Sequence, residues 1–379
     1  MPVNGATDMK VLHINSYYTK GDFYKMLFDR QIANGTDVSV FVPAFVDADS
    51  LNVKLADYIC ISKNHGKYDR IFFNIKHNKI YADIIAKYAI KNYSLMHAHS
   101  LFTNGSVAYK LKKEYGIPYI VAVRDTDCNT FFKYMLHLRK LGVKILNEAD
   151  RIIFLSQTYK NLTAEKYVPN KYRKEILSKS EVVPNGIDDF YFENDFLHRQ
   201  CAVNPHLKII TVGLLYSRKN QKTVCKAVKE LQKRGVPVEY TVIGKIENHR
   251  YYRSIIKYPF VKYKPPVPKE DLINEYRQAD IYVMPSLRET FGLVYAEAMS
   301  QNLPVIYTKG QGFDSQFEEG TVGYHVEARN VAQITNAIEK VMSDYETISK
   351  NCRTAAEKFN WDTVASKYEK IYACVLKDK

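Results

Sequence analysis

The amino-acid sequence predicts an α/β fold of two doubly wound domains in tandem. Its 379 residues exceed what one hydrophobic core usually organises, so two domains are the first expectation. In each half, short apolar runs alternate with longer stretches of helical period, the pattern of parallel strands covered by helices on both faces. Between the two series lies the turn tripeptide Pro184-Asn185-Gly186, followed by lost periodicity to about Pro205.

In the first half, strand-like runs fall at Lys10–Ile14, Val38–Val42, Arg70–Phe73, Leu95–His97, Tyr119–Val123 and Arg151–Leu155. Helical patterns separate them: one ends near Asn34, and others cover Lys76–Lys91, Thr103–Tyr115 and Asn129–Glu148. The second half has strands at Leu207–Val212, Val238–Ile243, Ile281–Met284 and Val305–Tyr307, with helices at Gln221–Arg234, Lys269–Gln278 and Leu293–Gln301. Long helical patterns run from Val331 onward, and the single tryptophan, Trp361, opens the last. The expected domains are 1–190 and 191–359, with a closing helix at about 360–379 packed back on the first. Open parallel sheets bind ligands beyond the carboxyl ends of their strands, and two such sheets facing each other make a cleft. Chemistry is therefore expected in the loops that directly follow strands.

Composition narrows the classes. Hydrophobic residues are 46% and charged residues 25% of the chain, an ordinary globular balance. The net charge of +14 favours a polyanionic partner: nucleic acid, an anionic membrane face or a phosphorylated substrate. Sixteen Lys and Arg against six Asp and Glu lie between Lys54 and Lys144; a solvated, lysine-rich surface accounts for the same numbers. Six scattered cysteines without a CxxC pair give neither a disulfide framework nor a zinc motif, and point to a reducing, cytoplasmic setting. No apolar run reaches the length of about 18 residues that a membrane span needs, and the polar opening MPVNGATD does not resemble a signal peptide. Neither GxGxxG after the first strand nor a Walker lysine loop is present, which disfavours a dinucleotide enzyme or a P-loop ATPase.

The most informative loop is Pro285-Ser286-Leu287-Arg288-Glu289-Thr290-Phe291-Gly292-Leu293-Val294-Tyr295-Ala296-Glu297-Ala298-Met299. A strand ends at Met284 and a helix is expected to begin near Phe291 or Gly292. The amides of Phe291, Gly292 and Leu293 then stand free at a helix N-terminus, a site for an anionic diphosphate. Gly292 lets the ligand approach the backbone. In this context the chain resembles the family 4 glycosyltransferases, retaining enzymes of the GT-B fold, whose pattern E-x-F-G-x-x-x-x-E-A-M is matched by Glu289 through Met299. The resemblance covers most of the chain and is strongest between about Val182 and Val305. It implies that Glu289 contacts the transferred sugar and Glu297 the nucleotide ribose.

A second loop, Gly213-Leu214-Leu215-Tyr216-Ser217-Arg218-Lys219-Asn220, is similar to the family's G-R-L segment with a following lysine, which grips the donor diphosphate. Gly213 and Lys219 match, whereas Leu214 stands where the family has arginine. Arg218 is either its substitute or a solvated first-turn residue. A cation here stabilises the leaving nucleoside diphosphate as its negative charge grows. In the third loop, His97-Ala98-His99-Ser100, the resemblance makes His99 the histidine that hydrogen-bonds the donor sugar, with His97 a core residue. A metal site on this His-x-His lacks a carboxylate cluster to support it. Asp125, Asp127, Tyr17 and Tyr18 are candidates for acceptor contacts, with loop capping the competing role for the acids. Around Val267, in Lys264-Pro265-Pro266-Val267-Pro268, the family contacts the nucleotide base.

The resemblance implies a retaining transferase that moves a sugar from a nucleoside-diphosphate sugar, UDP being the expected carrier. The acceptor is a hydroxyl of a glycan or lipid-linked acceptor in cell-surface polysaccharide synthesis. No cofactor and no metal are implied, and no nucleic acid is expected as partner. An anionic membrane surface fits the basic first half, placing the protein in the cytoplasm or on the inner membrane face. GT-B folds also host nucleotide-sugar epimerases and phosphorylases. An inactive binding subunit is a further alternative, with Leu214 its best support.

Overall fold

The computed structural model describes residues 9–21, 23–51, 55–66, 69, 72–194 and 206–377. The chain divides into two compact units, one running to Gly186 and resuming at Trp361, the other Ile187–Asn360. The partition expected from sequence differs in Ile187–Phe190, which go with the second unit, where Asp188 pairs with Lys269 at 2.7 Å. Residues 195–205 of the expected linker lie outside the described residues.

The first unit is built on a seven-stranded sheet: β1 Lys10–Ile14, β2 Asp37–Ala44, β3 Ile59–Lys63, β4 Leu95–Ala98, β5 Tyr119–Val123, β6 Arg151–Phe154 and β7 Ser180–Val182. The order is β3-β2-β1-β4-β5-β6-β7 and all pairings are parallel. Central strands are covered on both faces, which is why β5 is apolar throughout and wholly buried. One face packs the helices Phe73–Lys87, Gly105–Tyr115 and Arg139–Glu148 through Ile80, Leu111 and Leu146. The other packs Phe23–Ala33 and the last helix, Trp361–Lys377, through Val11, Phe28, Trp361 and Tyr372. Each such large apolar side chain, fully buried, contributes about 1.5–3 kcal/mol. Gln31 donates to the Tyr372 hydroxyl at 3.0 Å, and the Trp361 ring lies so close to Gly186 that a Cβ there would fall 2.4 Å from it.

The second unit carries a six-stranded parallel sheet: β8 Leu207–Val212, β9 Val238–Ile243, β10 Val261–Lys264, β11 Ile281–Val283, β12 Val305–Thr308 and β13 Gly323–Val326. Its order is β10-β9-β8-β11-β12-β13. In each sheet the chain reverses its direction of travel across the strands at one place, between β1 and β4 and between β8 and β11. Ligands of doubly wound sheets sit at such switch points.

Several local expectations are corrected. Of the strand expected at Arg70–Phe73, Arg70 and Ile71 lie outside the described residues and Phe73 opens a helix. The strand at the edge beyond β2 is β3, mostly half-buried and so lacking a clear apolar run. The helix expected over Asn129–Glu148 is instead a π-helical turn, Asp127–Phe132, and a separate helix from Arg139.

Candidate active site

In the second unit, the loops after β8 and β11 meet at the switch point. Gly213 ends β8 with φ 153°, a conformation that favours glycine. It turns the chain toward a short 3-10 turn at Ser217–Lys219. From there the two loops are stitched together: the Leu287 amide donates to the Arg218 carbonyl at 2.8 Å. Arg218 Nε donates to the Arg288 carbonyl at 2.9 Å. Lys219 Nζ reaches Glu289 Oε2 at 2.6 Å, with side-chain exposures of 15% and 9%. The neighbours Arg218 and Lys219 therefore both serve the β11 loop. Leu214, in the place of the family arginine, is exposed.

Glu289 is held from several sides. Its Oε2 accepts from Ser286 Oγ at 3.2 Å and its amide donates to Gln311 Oε1 at 2.9 Å. Its carbonyl accepts from the Gly312 amide at 3.1 Å. Ser286, Gln311 and Gly312 are supporting residues that the motif alone does not reveal; the position of the last two after β12 was the available signal, since that strand neighbours β11.

The helix Leu293–Ser300 starts two residues later than Phe291, with Gly292 as its cap at φ 83°. A Cβ on Gly292 would lie 2.4 Å from the Tyr295 ring, so both conformation and space exclude other residues. Among the described residues, the amides of Phe291, Gly292 and Leu293 donate to no protein acceptor. They lie at or just before the first turn of a helix whose positive end attracts anions. On the next turn Glu297 is half-buried and accepts from the Tyr276 hydroxyl at 3.1 Å. Burial pushes its carboxyl up to about 7, against the hydrogen bonds from Tyr276 and Tyr191 and with help from the charge of Asp188. Val267 is half-buried in the turn after β10, two strands from the switch point.

The first unit places its candidates differently. His13 and His97 are cross-strand partners on β1 and β4, and His99 follows β4; all three are fully buried. His13 Nδ1 and His99 Nε2 share a proton across 2.9 Å, and His97 Nδ1 meets the Tyr372 hydroxyl at 2.7 Å. His97 and His99 stack at 4.1 Å. Burial drives all three far below the ordinary histidine value, His13 to about 3, so they are neutral. His99 is thus as deeply set as His97, rather than standing apart from the core. Contact with a sugar there requires the side chains packed on it, Tyr24 and Phe28, to move. Ligand atoms of the trio lie within 4.8 Å of one another, and the contact between His13 Nδ1 and His99 Nε2 engages one nitrogen of each of those two rings. Asp127 caps the loop after β4, accepting the Leu101 and Phe102 amides at 3.0 and 3.1 Å. Asp125 accepts from Tyr159 at 2.9 Å and Tyr18 is buried. Their visible partners are structural.

The glycine-capped helix with Glu297, the loop before it with Glu289, and the lysine loop beside them lie within residues 196–359, which match the family described as glycosyl transferases group 1. Residues 24–189 match glycosyltransferase family 4. The chain belongs to the family 4 glycosyltransferases. Among relatives of this glycosyltransferase is a D-inositol 3-phosphate glycosyltransferase of Corynebacterium kroppenstedtii, 23% identical over 74% of this chain and 67% of the relative. Among solved structures, the sucrose-phosphate synthase of Thermosynechococcus elongatus superposes with TM-score 0.74 at 16% identity, over 98% of this chain and 100% of that one. The Anabaena protein HepE in complex with UDP-glucose superposes with TM-score 0.67 at 16% identity, over 97% and 100%. The fold of this glycosyltransferase is GT-B. Among its described residues no helix is long and apolar enough to cross a membrane.

Proposed function

We propose that this glycosyltransferase is a retaining hexosyltransferase that uses a UDP-sugar and glycosylates a hydroxyl of a glycan or lipid-linked acceptor in cell-surface polysaccharide synthesis. The observation that carries the donor reading is the juxtaposition of Lys219 with three unengaged amides, Phe291 to Leu293, at one switch point. Both features favour a diphosphate, and the UDP-glucose bound to HepE is consistent with that choice. Glu289 orients the sugar, Glu297 the ribose, Val267 lies near the base, and Arg218 stiffens the lysine loop from the side. The acceptor hydroxyl attacks the anomeric carbon on the face that the diphosphate leaves. As the carbon–oxygen bond to the β-phosphate breaks, the departing phosphate oxygen takes the hydroxyl proton, giving UDP and the glycoside. Lys219 and the helix terminus stabilise the charge that grows on that phosphate, so no resident cation is required.

The deciding experiment is thermal shift with UDP, GDP, ADP and their sugars, on the wild-type protein and Lys219→Ala. Stabilisation by UDP that Lys219→Ala loses supports the assignment. Preference for another base corrects the carrier, and no response to any nucleotide favours the inactive-subunit alternative with Leu214 as its cause.

A further inference from the structure

The segment between β12 and β13 supplies Gln311 and Gly312 to Glu289, and β13 ties that segment down through His325. The His325 Nδ1 lies 2.9 Å from Asp314 Oδ1 and 3.2 Å from Glu319 Oε1. An ionised carboxylate has no hydrogen to give, so Nδ1 carries the hydrogen and donates it. The His325 amide donates to the two Glu319 oxygens at 3.1 and 3.3 Å. Asp314 passes the constraint to the turn before it. Its Oδ2 accepts from the Gly310 amide at 2.7 Å, and its own amide donates to the Gln311 carbonyl at 3.0 Å. Its Oδ1 also accepts from the Ser315 amide at 3.0 Å. Ser315 stands at φ 62°, a left-handed conformation that a serine keeps where its surroundings fix it. The turn at 310–315 is thus shaped around the Asp314 carboxylate, and His325 holds that carboxylate from the strand.

The other side of the same turn meets the candidate site. Gln311 Oε1 accepts from the Glu289 amide at 2.9 Å, and the Gly312 amide donates to the Glu289 carbonyl at 3.1 Å. A Cβ on Gly312 would fall 1.9 Å from the Thr290 carbonyl oxygen, so the two backbones are in contact. The centre of the Phe313 ring lies 4.7 Å from that of Tyr295 and 6.2 Å from that of Phe291. In so close-packed an arrangement, a shift of 310–313 is felt at Glu289 and Phe291. We infer that His325 is a positioning residue for sugar transfer: its hydrogen bond to Asp314 sets the turn that aims Glu289. The consequence for transfer rests on the role proposed for Glu289; the coupling from His325 to the Glu289 backbone does not.

The test is hydrogen exchange followed by mass spectrometry on the wild type, His325→Leu and His325→Asn. Asparagine offers an amide N–H in place of the Nδ1 donor, and leucine offers none. In His325→Leu the Glu289 and Gly312 amides are expected to exchange about tenfold faster, the scale of one hydrogen bond to a charged group. The amides of β8 and β9 are expected to keep their wild-type protection, and His325→Asn to restore most of the difference. With saturating UDP-glucose, UDP release by His325→Leu is expected to fall about 10- to 100-fold, the effect of a misaimed group, at unchanged UDP affinity. Wild-type exchange at Glu289 and Gly312 in the leucine variant overturns the inference. Faster exchange spread evenly over the second unit overturns it too, as does a loss of turnover that asparagine fails to recover. The expected exchange pattern in a protein that UDP does not stabilise removes the donor reading and leaves the coupling; unchanged exchange with intact UDP stabilisation does the reverse.

Discussion

Lys219 and Glu289 form an ion pair at 2.6 Å, so the cation proposed for the diphosphate is neutralised by the acid proposed for the sugar. Donor entry has to share or open this pair. Removing Lys219 alone strands a nearly buried carboxylate and is expected to cost about 3 kcal/mol of stability. The double variant Lys219→Ala/Glu289→Gln is expected to recover most of that loss, because no unpaired charge remains. Denaturant melts of the four proteins measure the coupling, and strictly additive losses would show that the pair carries none.

Turnover is expected to depend on the same carboxylate. Glu289→Gln keeps the shape and most hydrogen bonds but lacks the charge beside the reacting sugar. Transfer is expected to drop by about 100- to 1,000-fold, the scale of losing one transition-state contact, with the fold intact by circular dichroism. Near-normal turnover removes Glu289 from the reaction.

Glu297 is expected to make stability and binding depend on pH. Burial raises its folded value to about 7 from 4.5, so between those values the folded protein holds a proton that the unfolded chain has lost. Its contribution to stability therefore falls as pH rises from 4.5 to 7. Melting temperature across this window is expected to decline less steeply in Glu297→Gln than in wild type. Affinity for UDP is expected to rise through pH 7 as the carboxylate forms to accept ribose hydroxyls. An affinity flat with pH in the wild type contradicts the ribose assignment.

Gly292→Ala places a methyl group against Tyr295 in a left-handed conformation, a backbone cost of about 1–2 kcal/mol before the clash. The cap is then expected to shift, and the three amides with it. Calorimetry is expected to show UDP affinity down about tenfold or more, the effect of at least 1.4 kcal/mol. Unchanged affinity would place the diphosphate elsewhere.

Dialysis against EDTA tests the histidine trio. The His97 and His99 planes differ by 23°, whereas an ion on three histidines needs nitrogens converging at about 2.0–2.1 Å. The transfer rate is expected to survive chelation. A collapse that zinc restores would put an ion on His13, His97 and His99.

Two sheets with a break near Gly186 were legible because central strands, buried on both faces, write themselves as continuous apolar runs. Edge strands do not: β10, Val-Lys-Tyr-Lys, and β13, Gly-Tyr-His-Val, are half-exposed and short. The glutamate pair was legible because both members belong to one loop and helix. Gln311, Gly312, Tyr191 and Tyr276, which hold those glutamates, come from separate elements, and only tertiary packing joins them. The depth of His99 was hidden for a related reason. A residue just past a strand end reads as loop, and the aromatic side chains of Phe23–Ala33 that cover it come from far along the chain.

The last helix, Trp361–Lys377, completes the face of the sheet with which the chain begins. During synthesis the amino-terminal half leaves the ribosome first, yet the face of the sheet that Val11 shares with Phe28 stays partly uncovered until Trp361–Lys377 emerges. The second unit, encoded in between, has all its parts sooner. The order of completion is thus the reverse of the order of synthesis, and the unfinished sheet is the species for which a chaperone has the longest opportunity.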